Sequence, residues 1–153
     1  FDSIFFGTVR DGIPDGLMSR ERWIAKPGLL EKLNEQFRFS IFTGRLREEA
    51  LMTSRRFAPG LEFAPYIGAD DVTQGKPHPE GLQKIVALEP GAEYWYIGDT
   101  VDDARASKAA GVPFIGIAAP GVPQRERLLE LFRAEEARVI LNDINELPGF
   151  LLP

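Results

Sequence analysis

Residues 96–113 read Tyr96-Ile97-Gly98-Asp99-Thr100-Val101-Asp102-Asp103-Ala104-Arg105-Ala106-Ser107-Lys108-Ala109-Ala110-Gly111-Val112-Pro113, and the fold turns on them. Tyr94 to Ile97 is a short apolar run closed by Gly98, the pattern of a buried strand. Asp103 to Ala110 is Ala-rich and stops at Gly111, as a helix with a glycine just past its end does. Phe114 to Ile117 is a second apolar run. Strand, helix and strand in so few residues predict a βαβ unit with its strands parallel.

The same alternation extends in both directions. Pro123 to Glu135 predicts another helix and Val139 to Leu141 a last short strand. Upstream, Pro79 to Leu88 reads as a helix and residues 65–69 as a weaker strand. Arg47 to Phe57 reads as a helix ended by Pro59-Gly60, and Phe39 to Phe42 as a strand. Pro27 suits a first helical turn ahead of Leu29, Leu30, Leu33 and Phe37. These short strands are apolar on both sides, as strands covered by helices on both faces are. The predicted fold is α/β, a Rossmann-like parallel sheet with helices on both faces. Residues 26–153 form this core. Residues 1–25, rich in Gly, Asp and Arg, read as a connection arriving from something upstream.

Bulk properties narrow the possible chemistry. The chain has 153 residues, one domain's worth, with 44% hydrophobic and 27% charged residues. A net charge of −5 disfavours nucleic acid as a partner. With no cysteine there is neither a disulfide nor a thiolate metal site, which fits the cytoplasm. No apolar run approaches the roughly 20 residues of a membrane helix. The chain starts at Phe1 in place of Met, so processing or truncation is expected.

In an open parallel sheet ligands gather at the carboxyl ends of the strands. Thr43-Gly44-Arg45 follows one strand there and Gly98-Asp99 another, while Lys76 in Gly75-Lys76-Pro77-His78-Pro79 precedes a helix. Taken singly, Thr43 could cap the next segment, Lys76 could be a solvated loop lysine, and Asp103 could cap a helix. Asp99, Asp102 and Asp103 within five residues repel one another unless a cation or solvent relieves them. Oxygen ligands at this density suit Mg²⁺. Asp102 is expected to face solvent rather than the metal.

In this order, Thr43, Lys76-Pro77-His78-Pro79 and Gly98-Asp99 through Asp103 resemble the second, third and fourth motifs of the haloacid dehalogenase superfamily. The similar branch is subfamily I, with a helical cap, which includes phosphoglycolate phosphatase-like and β-phosphoglucomutase-like enzymes. The resemblance spans residues 26 to about 147. It implies that Thr43 and the Gly44 amide bind the transferring phosphoryl group. It also implies that Lys76 holds the phosphoryl oxygens and the charge of the nucleophile. Asp99 would position Mg²⁺ directly, and Asp103 directly or through water. The implied function is that of a Mg²⁺-dependent phosphatase acting on a small phosphorylated metabolite.

The family's first motif, Asp-x-Asp at the end of a central strand, has no counterpart in this chain. Asp2 is followed by Ile4 where the second acid would stand, and Asp11-Gly12-Ile13-Pro14-Asp15 is turn-like. The expectation is therefore an N-terminally truncated chain, with the nucleophile strand and most of the cap upstream and residues 1–25 the end of that cap. Two alternatives stay open: a phosphomutase of the same superfamily, and a catalytically inactive fragment or binding module. A P-loop is set aside because Pro77 stands where Ser or Thr is required. A Ser-His-Asp hydrolase is disfavoured by the single His78 and the absence of Gly-x-Ser-x-Gly. A phosphoacceptor signalling domain would carry its acids ahead of the Thr and Lys. A metal-free dehalogenase has no need of Asp99 and Asp103. Oligomeric state is not legible.

Overall fold

A computed structural model describes residues 9–10, 13–14 and 20–153. Most of the segment 1–25 expected to end a cap lies outside the described residues. What is described of it includes a two-stranded antiparallel pairing of β1 (Val9–Arg10) with β2 (Ile13–Pro14).

Helix and strand then alternate: α1 (Leu29–Asn34), β3 (Phe39–Phe42), α2 (Arg47–Phe57), β4 (Phe63–Ile67), α3 (Glu80–Leu88), β5 (Tyr96–Gly98), α4 (Val101–Ala110), β6 (Phe114–Ile117), α5 (Arg125–Ala134), β7 (Val139–Leu141) and α6 (Leu147–Leu151). β3 pairs in parallel with β4, and β5, β6 and β7 pair in parallel in that order.

The alternation of side chains sorts the core into two layers. Ile97, Ile115, Ile117, Val139 and Leu141 face Leu29, Leu33 and Leu147 of α1 and α6. Phe114 and Ile140 face the other way, against Leu129 and the fully buried Phe132 of α5. Phe42 meets Leu82 and Ile85 of α3 and Ala106 of α4 on that second face. Helices thus cover both faces, and the α/β expectation holds.

Several limits differ from the sequence reading, among them β5, expected at Tyr94 to Ile97 and found at Tyr96–Gly98, and α5, expected at Pro123 to Glu135 and found at Arg125–Ala134. The strand expected at 65–69 lies at Phe63–Ile67. Pro65 is tolerated inside it because β4 is an edge strand, where a missing N–H costs no ladder bond. The fourth helix starts at Val101, two residues before Asp103, because Thr100 caps it. The short α6 was not expected; Pro148 sits in its first turn, where proline fits.

The sheet is divided between β3 and β5. Among the described residues no strand pairs with the edge of β3 that faces away from β4, or with the edge of β5 that faces away from β6. A groove of about 740 Å³ runs along both strands, lined by every residue from Phe39 to Phe42 and from Tyr94 to Ile97. Consecutive strand residues point to opposite faces, so a groove touching all of them follows the strand edges. This is where the family resemblance expects its central strand.

Candidate active site

The site forms where β3, β5 and the loop before α3 come together. β3 ends at Phe42, whose buried ring packs under Gly81 of α3 so closely that a Cβ there would fall 2.2 Å from a ring carbon. Thr43 follows. Its amide still donates to the Ile67 carbonyl at 3.0 Å, which extends the β3–β4 pairing. Its hydroxyl accepts from the Arg45 amide at 3.2 Å. That bond closes a turn and does not cap a helix, since α2 begins from Leu46, whose amide donates to Glu49 at 3.1 Å. Gly44 is exposed with open space above it.

Lys76 reaches across to the other half-sheet. Its Nζ lies 5.2 Å above the Phe42 ring and donates to Asp103 Oδ1 at 2.6 Å. The Tyr96 hydroxyl stands 3.4 Å from the same Nζ. The two side chains of the ion pair are 19% and 5% exposed, so this is a mostly desolvated contact.

Asp103 is held from every side. Tyr96 donates to its Oδ1 at 2.8 Å, and the Thr100 hydroxyl and amide donate to Oδ2 at 2.7 and 3.1 Å. The Asp103 amide donates back to the Thr100 hydroxyl oxygen at 3.2 Å, completing a capping box. Gly98 lets β5 approach this carboxylate; a Cβ at that position would sit 2.6 Å from Asp103 Cβ. Burial alone would raise the Asp103 pKa, but the donors Lys76, Thr100 and Tyr96 outweigh it and hold the pKa below the ordinary carboxyl value. Tyr96 is pushed strongly upward by burial and by the neighbouring charges of Asp103 and Asp99, so its hydroxyl keeps its proton.

Asp99 follows β5 directly and is exposed. Asp102 points aside, 3.8 Å from Arg105 on the flank of α4. His78 accepts from the Glu80 amide at 3.3 Å at the start of α3. Lys76 and Asp103 are therefore in direct contact, with Thr43 and Asp99 each one residue beyond the strand ends that frame them.

The fit to a divalent cation is uneven. Both Asp103 oxygens are engaged by donors, which suits a role through water better than direct ligation, whereas the exposed Asp99 carboxylate suits direct ligation. Among the described residues no three of His, Cys, Asp or Glu are grouped to hold a metal ion.

The lowered Asp103 pKa has a consequence for stability. The folded protein binds fewer protons at this group than the unfolded chain once pH drops below the ordinary 3.8. The stabilisation is complete above that value and is lost as pH falls through the lowered one. Urea midpoints measured from pH 6 to pH 2.5 are expected to fall more steeply for the native chain than for Asp103→Asn. Parallel slopes would contradict this.

Sequence reasoning missed Tyr96 and Thr100. Thr100 was legible from the capping pattern with Asp103 three residues on. Tyr96 gave no signal, since an aromatic residue in a buried strand is ordinary.

The Haloacid dehalogenase-like hydrolase family matches residues 26–117, more than half of the sequence. The chain belongs to that family. Phosphoglycolate phosphatase from Salmonella typhi is 36% identical over 95 residues, 60% of this chain and 35% of its own. Phosphoglycolate phosphatase from Escherichia coli K12 is 41% identical over 58 residues, 36% of this chain and 23% of its own. A haloacid dehalogenase-like protein of Bacteroides fragilis superposes with a TM-score of 0.67 at 30% identity, covering 79% of this chain and 56% of that one. A subfamily IA hydrolase of Geobacter sulfurreducens gives 0.61 at 26% identity, covering 82% and 55%. The chain thus spans about a third or less of these curated relatives and just over half of these solved structures.

Proposed function

We propose that the whole protein is a Mg²⁺-dependent phosphatase that hydrolyses a small phosphomonoester through a phospho-aspartate. The observation that carries this reading is the Lys76 ammonium, 2.6 Å from Asp103 in a mostly desolvated pair at the carboxyl ends of β3 and β5. Phosphoryl transfer asks chiefly for positioning and charge neutralisation, and a fixed ammonium beside Thr43, Gly44 and Asp99 offers both. The similarity to phosphoglycolate phosphatases supports a small phosphomonoester as substrate.

Thr43 and the Gly44 amide bind phosphoryl oxygens in this reading, and Lys76 neutralises them. Asp99 ligates Mg²⁺, with Asp103 acting through water. The cation supplies charge that lets carboxylates approach a phosphate. The nucleophile is an Asp at the end of a strand upstream of Phe1, and the groove between β3 and β5 is the place for that strand. Two open parallel edges face it, and an added strand would end beside Thr43 and Asp99. In this reading residues 1–25 close the cap and residues 26–153 are the core. The protein works in the cytoplasm in this reading, and residues 1–153 contain no cysteine. Among the described residues no helix is long and apolar enough to cross a membrane.

The test is release of inorganic phosphate from a panel of small phosphomonoesters that includes 2-phosphoglycolate. The whole protein is expected to turn over with Mg²⁺ and to stop on chelation, while residues 1–153 alone release none. Turnover by the 153-residue chain alone would overturn the upstream nucleophile. Metal-independent turnover by the whole protein would overturn the role of Mg²⁺.

A further inference from the structure

Resting on that phosphatase reading, we propose that Tyr96 is a positioning residue which sets the direction in which Lys76 presents its free N–H to the phosphoryl group. An ammonium has three donors. Asp103 Oδ1 takes one at 2.6 Å, and the Tyr96 hydroxyl oxygen lies 3.4 Å away for a second. One N–H is left over. With only Asp103 as partner the end of the lysine side chain could pivot about a single hydrogen bond as its stem turns, and the third N–H would swing with it. Two partners at an angle stop that rotation.

The hydroxyl is suited to this work. Its own proton goes to Asp103 at 2.8 Å, so its lone pairs are left for Lys76. It also lies 3.5 Å from the Phe42 carbonyl, the last residue of β3. Tyr96 starts β5, and its ring packs between Phe42 at 6.2 Å and Phe114 at 6.1 Å. One side chain therefore touches both half-sheets, the acid and the lysine. Tyr96 also lines the groove between the two half-sheets, while its ring packs toward α3, α4 and α5.

Tyr96→Phe removes the hydroxyl and keeps the ring packing. The test uses the whole protein, with Mg²⁺ present and inorganic phosphate as probe. Three quantities are read: the ¹H–¹⁵N signal of the Lys76 ammonium, identified by its loss in Lys76→Met, the phosphate affinity, and the thermal midpoint. The native chain is expected to show a slowly exchanging Lys76 signal. In Tyr96→Phe that signal should broaden and phosphate affinity fall about tenfold, the worth of one hydrogen bond to a charged group. A merely structural role would lower the midpoint and leave signal and affinity as they were, and that result overturns the proposal. So does an unchanged variant. A native chain that binds no phosphate, yet loses the Lys76 signal in Tyr96→Phe, supports the hold on Lys76 and counts against the phosphatase reading instead.

Discussion

Lys76→Met is expected to destabilise the chain by about 3 kcal/mol, the cost of stranding one partner of a buried ion pair. Burial sets the scale of this cost: the Asp103 side chain is 5% exposed and Lys76 19%. Methionine replaces the apolar stem of the lysine, including its contact over the Phe42 ring, so packing changes little. What disappears is the cation. Tyr96 and Thr100 still donate to Asp103, which keeps the loss near the lower end of the range for such pairs. A double mutant separates the ion pair from general damage. Asp103→Asn removes the charge and retains an oxygen for the Thr100 donors. Lys76→Met in that background should then cost only about 1 kcal/mol, a coupling of about 2 kcal/mol. Urea unfolding of the four proteins of this cycle measures it. Strict additivity would show that Lys76 and Asp103 do not sense each other in solution.

The same residues show how much a sequence discloses. The helices were legible because their ends are chemically marked: Pro59-Gly60 after α2, Gly111 after α4, and acids in the first turns. The strands were legible as short apolar runs, since a parallel sheet buried on both faces needs no alternation of polarity. Their exact limits were not. The strand read at residues 65–69 runs at Phe63–Ile67, because nothing local reveals that a strand will carry Pro65 in its interior. Asp103 was correctly placed at the start of a helix, yet its part in holding Lys76 is a contact over 27 residues that no local pattern encodes. Tyr96 is the clearest case. Its ring belongs to the core by every sequence criterion, and only the fold shows its hydroxyl between an ammonium and a carboxylate. The division of the sheet was likewise invisible in periodicity and entered only through resemblance, because pairing is a property of the assembled edges.

Asp99→Asn in the whole protein is expected to lower Mg²⁺-supported phosphate release about a thousandfold, which is several kcal/mol of lost transition-state charge stabilisation. The substitution is nearly isosteric and its site is exposed, so the fold should tolerate it. Its effect is therefore separable from that of Asp103→Asn, where stability and activity fall together because Asp103 anchors both the start of α4 and Lys76. Asp102 supplies the internal control. It lies on the same turn and carries the same charge, but it faces Arg105 on the flank of α4. Asp102→Asn should leave the rate within about twofold, as surface substitutions away from a site do. If the three aspartates acted only as a diffuse negative field, the Asp99 and Asp102 variants would lose activity by similar amounts. A ligand role predicts a steep difference between them, and raising the Mg²⁺ concentration should recover part of the Asp99→Asn loss. Steady-state rates at several Mg²⁺ concentrations read both effects, and equal losses at the two positions would remove Asp99 from the metal site.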